Sequence, residues 1–147
     1  MRWTHEVTID GEAATVYDLA SDLARWPNLL PHVRYTRQRE DNDTWEIGYA
    51  RFGFPLRCVC RCVAVPEQRE VRLVHISGPG RGLAERFLVR NATRLHYTCA
   101  TGRGSRPQQR VAARVFLRPL AVQTMEMIDL LATAERRATE RGSTPKA

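Results

Sequence analysis

The strongest constraint on the fold is a region of about seventy residues after Pro31 in which apolar and polar side chains alternate. Successive side chains of a β-strand point to opposite faces, so a period of two indicates strands with one buried face. Only short stretches rich in glycine, proline, asparagine or aspartate interrupt the alternation, and connections this short join antiparallel neighbours. The pattern predicts a meander of strands at 32–40, 44–52, 55–65, 69–77, 83–90 and 93–101.

The periodicity differs on the two sides of this region. Residues 3–9 also alternate and predict a first strand. Apolar residues at helical spacing then predict one helix over 13–20 and a second, short helix over 22–27, because prolines interrupt the pattern. From about Arg118 to Gly142 the apolar residues form one stripe, which predicts a long amphipathic helix able to cover a sheet.

The length of 147 residues is that of one domain with a sizeable core. We therefore expect a single domain over 1–147, with about 142–147 as a disordered tail. No apolar run approaches the roughly 20 residues that cross a bilayer, and the first ten residues lack the apolar block of a signal peptide. These features predict a cytoplasmic protein without a membrane span, in which thiols stay reduced.

The chain is basic, with 23 basic residues against 16 acidic ones and a formal net charge of +7. Nearly all of the basic residues are arginines, which suit phosphate and base contacts in nucleic-acid binders. The arginines are spread along the whole chain, however, and mostly alternate with apolar residues, as they do on the solvent face of sheets and helices. We therefore expect no nucleic-acid partner.

Cys58, Cys60 and Cys62 occupy alternate positions of one predicted strand, and Cys99 is the remaining cysteine. Alternate residues of a strand lie about 6.6 Å apart, whereas two thiolates on one zinc ion lie roughly 3.8 Å apart. The same spacing is too long for a disulfide, in which the Cβ atoms are about 3.5–4.5 Å apart. Small apolar lining is therefore favoured over a metal or redox centre, and a nucleophilic cysteine remains an alternative.

The cysteines share the buried face of their strand, because Arg57 and Arg61 alternate with them. A hairpin tip at Gly53 and Phe54 makes the facing strand equally apolar on that side. The predicted register is Tyr49 with Cys58, Ile47 with Cys60 and Trp45 with Cys62.

The segment "VYDLASDLARWPNLLPHVR" resembles the signature of the bacterial polyketide cyclase/dehydrase branch of the START-like superfamily. Further matches are "FPLR" at 54–57, "VRLVHISG" at 71–78, "GLAERF" at 82–87 and "VFLRPLA" before the last helix. The resemblance covers essentially the whole chain. It implies an α+β helix-grip fold: a seven-stranded curved antiparallel sheet, two short helices after the first strand, and a long C-terminal helix over a hydrophobic cavity.

The resemblance implies a small, cofactor-independent cyclase/dehydratase of secondary metabolism that binds a hydrophobic polyketide-type substrate. The alternative is a non-catalytic binding or transport protein for a lipid, a quinone or a polyketide. A homodimer and a polyketide synthase or carrier-protein partner are left open. The aromatase/cyclases that the chain resembles carry an inward arginine where this strand has cysteines, and a tyrosine soon after "WP", so their catalytic set does not carry over.

Alternation also places polar groups on the buried faces of neighbouring strands. A buried carboxylate is costly unless it is paired, so Glu85 needs a cationic partner such as Arg51 or His75, or a proton. Histidine or glutamate can abstract a proton next to a carbonyl, while Tyr97 or Arg51 can stabilise the enolate or orient the substrate. The candidate catalytic residues are therefore His75, Glu85, Tyr97 and Arg51. The alternatives are a rim salt bridge for Glu85 and a hydrogen-bonded wall position for His75.

The remaining candidate residues share a buried face or border the entrance of the implied cavity. For some of them, such as Trp26 and His32, a packing role is the alternative. The candidate substrate-binding residues are Trp26, His32, Tyr35, Trp45, Tyr49, Cys58, Cys60, Cys62, Phe87, Cys99, Met125 and Ile128.

Overall fold

The computed structural model describes residues 2–41, 43–51, 53–90, 94–101 and 106–143, without the side chains of Arg51, Thr101, Ala112, Ala113 and Ser143. Strands and helices follow one another in the order that the sequence predicts. The strands are β1 (Arg2–Thr8), β2 (Val33–Gln38), β3 (Thr44–Arg51), β4 (Phe54–Val65), β5 (Glu70–Ser77), β6 (Leu83–Arg90) and β7 (Arg94–Thr101). The helices are α1 (Ala13–Ser21), α2 (Trp26–Leu29), α3 (Pro107–Ala112) and α4 (Arg118–Ser143), with 3₁₀ turns at Leu23–Arg25 and Pro66–Gln68.

The strands form one antiparallel sheet in the order β1-β7-β6-β5-β4-β3-β2. Each strand from β2 to β6 pairs with the next along the chain, as short connections require, and β1 pairs with β7. The long helix α4 buries an apolar stripe that includes Leu120, Met125 and Ile128. A curved sheet covered by α4, with α1 and α2 after β1, confirms the predicted α+β helix-grip fold.

The long helix α4 begins at Arg118, as predicted, but further helical segments precede it. Helical backbone starts at Pro107 and continues through a π-helical segment (Ala113–Leu117) into α4. Pro119 is therefore the second residue of α4 but lies within a continuous run of helical backbone. A proline in that position lacks the N–H donor and crowds the preceding turn, and the wider π-helical turn directly before it accommodates this defect.

The end of the helix also differs from the expectation. Gly142 and Ser143 belong to α4, whereas 144–147 of the expected tail lie outside the described residues. In the part of the chain that the structure describes, no helix combines the length and the apolar character that a membrane crossing requires.

The register between β3 and β4 differs from the prediction by two residues. Tyr49 pairs with Leu56 and Ile47 with Cys58, because Arg51 already pairs with Phe54 and the turn is tighter than expected. A shift of two residues leaves every side chain on its face, whereas a shift of one would exchange the faces. The cysteines of β4 therefore still point towards the helix side of the sheet.

Two bulges change the alternation that the sequence suggests. In β2, Val33 pairs with Tyr49 but Tyr35 pairs with Gly48, so Arg34 is an extra residue. Tyr35 consequently lies on the outer face, and the expected inward orientation of this side chain is wrong. In β5, Ser77 pairs with Val59 of β4 but His75 pairs with Cys60, so Ile76 is an extra residue. Ser77 beyond this bulge is exposed, although it is two positions from the buried His75.

Candidate functional site

A chain of buried polar side chains crosses the inner face of the sheet. The Tyr97 hydroxyl donates a hydrogen bond to Glu85 Oε1 at 2.5 Å, and His75 Nε2 donates to Glu85 Oε2 at 2.6 Å. The other imidazole nitrogen, Nδ1, lies 3.5 Å from Cys60 Sγ. All four residues are between 0% and 6% exposed, so the chain is shielded from bulk water.

The register of three adjacent strands brings the polar side chains together. Leu73 pairs with Glu85, and Phe87 pairs with Tyr97. His75 is two positions after Leu73 and therefore lies diagonally opposite Glu85. Glu85 is two positions before Phe87 and therefore lies diagonally opposite Tyr97. Long side chains can meet across such a diagonal, which explains how His75, Glu85 and Tyr97 form one hydrogen-bonded chain.

The electrostatics of the chain favour an imidazolium–carboxylate pair. Burial by itself lowers the pKa of His75, but the negative charge of Glu85 and the hydrogen bonds to Cys58, Cys60 and Glu85 outweigh burial and raise that pKa well above its usual value. Burial, followed by the Glu85 charge, raises the pKa of Tyr97 well above its usual value. Burial likewise raises the pKa of the Cys60 thiol. Near neutral pH, the group therefore holds a protonated histidine, a phenol and a thiol.

The loop between β5 and β6 covers the imidazole. A Cβ atom added to Gly80 would lie 2.8 Å from His75 Nδ1 and 2.5 Å from Leu117 Cδ1. No side chain larger than hydrogen fits there without moving one of these neighbours. The loop and the π-helical segment therefore close over His75 from the helix side.

A second polar group lies between the sheet and α4. His32 follows α2, and its Nε2 lies 2.7 Å from Thr124 Oγ1. The imidazole stacks on the Tyr49 ring, with centroids 6.3 Å apart and planes 8° from parallel. Burial lowers the pKa of His32 to about 4, so this imidazole is neutral at neutral pH.

Most of the other candidate residues lie on the inner face or beneath α4. Phe87 contacts both Tyr97 and Trp26, with centroid distances of 5.0 Å and 6.4 Å. Trp26 Nε1 donates to the Leu19 carbonyl at 3.0 Å, which ties α2 to α1 beside the core. Cys58, Cys99, Met125 and Ile128 are fully buried, whereas Trp45 and Cys62 are half-buried near the end of the sheet.

Two candidates do not join this group. Tyr35 is 37% exposed on the outer face, where its ring covers Gly48. The side chain of Arg51 lies outside the described residues, so its role in orienting a substrate stays a prediction.

Sequence reasoning missed Arg118 and Thr124, which both lie on the sheet side of α4. The Arg118 guanidinium carbon is 5.1 Å from the centroid of the Trp3 ring, and Trp3 in turn contacts Tyr97 at 5.4 Å. Arg118 Nε is buried and has no hydrogen-bond partner among the described residues. A polar residue within the apolar stripe of the helix was the available signal for Thr124.

Grooves lined by described residues lie on other surfaces of the protein. A groove of about 690 Å³ lies on the outer face, lined by 37–41, Thr44, Val59, Arg61 and Ile76. Its charged side chains are exposed, whereas those of the inner chain are buried and perturbed, which is more typical of a functional site. Within the described ranges, no three histidine, cysteine or acidic residues lie close enough to hold a metal ion.

A seven-stranded antiparallel sheet covered by a long C-terminal helix defines the helix-grip fold. The sequence matches the family model described as "Polyketide cyclase / dehydrase and lipid transport" over residues 9–116. The chain belongs to this family. A search of curated proteins finds no match to the chain.

Solved structures with the same fold include two aromatase/cyclases. The Zhui aromatase/cyclase from Streptomyces sp. R1128 has a TM-score of 0.73 at 16% identity, covering 94% of this chain and 95% of that one. The di-domain ARO/CYC BexL from the BE-7585A biosynthetic pathway has a TM-score of 0.70 at 17% identity, covering 88% of this chain and 45% of that one. A START superfamily protein from Mycobacterium smegmatis has a TM-score of 0.63 at 15% identity, covering 88% and 98%. At these identities the similarity establishes the fold alone.

Proposed function

We propose that the protein is a small cyclase/dehydratase acting on a hydrophobic polyketide-type substrate bound between the sheet and α4. The observation that carries the proposal is the buried chain from Cys60 through His75 and Glu85 to Tyr97. Membership of a family described as "Polyketide cyclase / dehydrase and lipid transport" supports it, and supports the carrier alternative as well. The apolar residues around the chain suit a hydrophobic substrate, which a polyketide synthase or carrier protein would deliver.

His75 is the proton donor in this proposal. Its Nδ1–H faces Cys60 Sγ, and sulfur is a weak acceptor, so a substrate carbonyl oxygen that displaces the loop at Gly80 becomes the stronger partner. In an aldol-type ring closure, an enol carbon bonds to a carbonyl carbon while His75 donates its proton to the carbonyl oxygen. The proton lost from the enol hydroxyl returns to the imidazole, so the enzyme ends in its starting state.

The same groups support loss of water from the resulting β-hydroxy ketone. His75 protonates the departing hydroxyl group as the C–O bond breaks, water leaves, and the proton on the α-carbon passes to the neutral imidazole, which restores the imidazolium. Glu85 keeps the imidazole charged and Tyr97 holds Glu85 in place, so Tyr97 is a positioning residue. These steps are proton transfers within a bound conformer and require no organic cofactor.

The test compares Glu85→Gln and His75→Ala with wild type, using a synthetic linear polyketone as substrate. Glutamine keeps the shape of Glu85 but removes the charge that stabilises the imidazolium. Product formation should fall about 100-fold or more, the usual contribution of general acid catalysis, while ligand affinity changes less than about threefold. Glu70→Gln is the matched control, because Glu70 is a buried carboxylate of the outer face, paired there with Arg72 and Arg86.

The outcomes separate the two functions. Wild-type product formation by both inner variants would show that His75 and Glu85 are not the acid/base groups. Binding by the wild type without product above the uncatalysed rate would identify a carrier of a lipid, quinone or polyketide. The observation that favours this second candidate is the complete burial of the His75 side chain, which is 0% exposed, since a fixed ion pair can orient a ligand without reacting.

A further inference from the structure

His32 has a buried nitrogen atom for which the proposed chemistry provides no role. The residue is 4% exposed and lies between the sheet and α4, although it belongs to the entry of β2. One ring nitrogen contacts Thr124, and the other, Nδ1, is buried without a hydrogen-bond partner among the described residues. Buried polar atoms are normally paired, so an unpaired one indicates a missing partner.

The hydrogen bonds of Thr124 determine which nitrogen of His32 carries the proton. Thr124 Oγ1 lies 2.9 Å from the carbonyl oxygen of Leu120, and a carbonyl can only accept. The single hydroxyl proton of Thr124 is therefore used in that bond. Oγ1 must then accept from His32 Nε2–H at 2.7 Å, which leaves Nδ1 with a lone pair.

The surroundings of Nδ1 describe the ligand group that it can bind. A neutral imidazole nitrogen with a lone pair accepts a hydrogen bond, so the partner must be a donor. The Tyr49 ring is parallel to the imidazole, with centroids 6.3 Å apart, so an aromatic ligand ring bonded to Nδ1 in the imidazole plane would continue this layer of flat groups. Tyr49 also lies within electrostatic range of Glu85, Cys58 and Cys60, so His32 and the His75 chain flank the same buried aromatic ring.

We infer that His32 Nδ1 is a ligand subsite that accepts a hydrogen bond from a phenolic or enolic hydroxyl group on an otherwise apolar ring. The inference rests on the proposed binding of an apolar ligand between the sheet and α4, but not on turnover. His32 and Thr124 then determine specificity: His32 contacts the ligand, and Thr124 acts through His32 by holding its tautomer.

Three ring compounds of similar size test the subsite. 2-Naphthol offers a hydroxyl donor, 2-methoxynaphthalene offers only an acceptor oxygen, and 2-methylnaphthalene offers neither. Equilibrium dialysis at pH 7 should show wild-type protein binding 2-naphthol about fivefold more tightly than either of the others, as expected for one net hydrogen bond.

Two variants separate the hydrogen bond from packing. His32→Phe keeps a ring against Tyr49 and removes the acceptor, so the three compounds should bind with equal affinity. Thr124→Val keeps the shape of the helix surface but frees the tautomer of His32, so Nδ1–H can donate to the methoxy oxygen. The preference of 2-naphthol over 2-methoxynaphthalene should then disappear while both still bind better than 2-methylnaphthalene.

Each outcome has one reading. Equal wild-type affinities, or a preference for 2-naphthol that survives in His32→Phe, would overturn the subsite. Failure of all three compounds to bind would overturn the apolar ligand site and the subsite with it. If the wild-type protein forms no cyclised product but still prefers 2-naphthol, only the enzymatic role of His75 and Glu85 is overturned.

Discussion

Replacement of His32 by phenylalanine should remove a pH dependence of stability between pH 7 and pH 5. Burial lowers the pKa of His32 to about 4, whereas a histidine in an unfolded chain titrates near 6.5. Between these values the unfolded state binds more protons, so the stability from a neutral His32 is present above pH 6.5 and is lost as the pH falls towards 4. With these pKa values, this residue alone reduces the free energy of unfolding by about 2 kcal/mol between pH 7 and pH 5.

His75 should give a slope of the opposite sign at higher pH. Burial lowers its pKa, but the Glu85 carboxylate and the hydrogen bonds outweigh burial and raise it well above the usual value. Stability from a group with a raised pKa is complete below the unfolded pKa and is lost as the pH rises towards the folded pKa. The contributions of the two histidines therefore have their common maximum near pH 6.5.

Urea unfolding followed by tryptophan fluorescence at pH 5, 6 and 7, at constant ionic strength, measures the first slope. In His32→Phe, the loss of stability between pH 7 and pH 5 should be smaller than in wild type by about 2 kcal/mol. The control is Val33→Ala, a packing change at the neighbouring buried position that removes no titratable group and should keep the wild-type slope. A wild-type slope in His32→Phe would refute the assignment of His32 as a neutral buried imidazole.

Two further predictions concern the covering loop and the thiols. Gly80→Ala should cost about 1–3 kcal/mol of unfolding free energy, because the added Cβ would lie 2.8 Å from His75 Nδ1, whereas Gly48→Ala meets only the exposed ring of Tyr35, which can turn into solvent. Equal losses in urea unfolding of the two variants would contradict this explanation. A disulfide reagent should label half-buried Cys62 before the three buried cysteines, which should react only on unfolding. Labelling of a buried cysteine first in the folded protein would contradict it.

The fold was predictable because the alternation of a strand is a local property. Each side chain's face follows from its position along the chain, so residues 55–65 and 69–77 indicated their buried faces without knowledge of their partners. The predicted register of β3 and β4 was wrong by two residues, and the inner face of β4 was still right. The start of α4 at Arg118 was right, but the helical segments before it were missed, because Pro119 is typical of a first turn and only the π-helical segment lets helical backbone continue through it.

The candidate site was predictable only in part, because alternation gives the face of each side chain but not its neighbours on other strands. Alternation placed His75, Glu85 and Tyr97 on buried faces, but the diagonal contacts between them depend on the register of three strands. A single extra residue, Arg34, turned Tyr35 to the outer face, and a bulge of this kind leaves no mark in the alternation itself.

The sequence by itself determined the order of strands and helices, the inner face of most strands and the residue types buried there, because these follow from local periodicity. Only the tertiary structure decided which of those groups meet and in what state of protonation. Glu85 keeps His75 charged, whereas burial keeps His32 neutral. Thr124, 92 positions away along the chain, selects the nitrogen of His32 that is left free. Contacts between distant segments decide such properties, and the pattern of any one segment does not contain them.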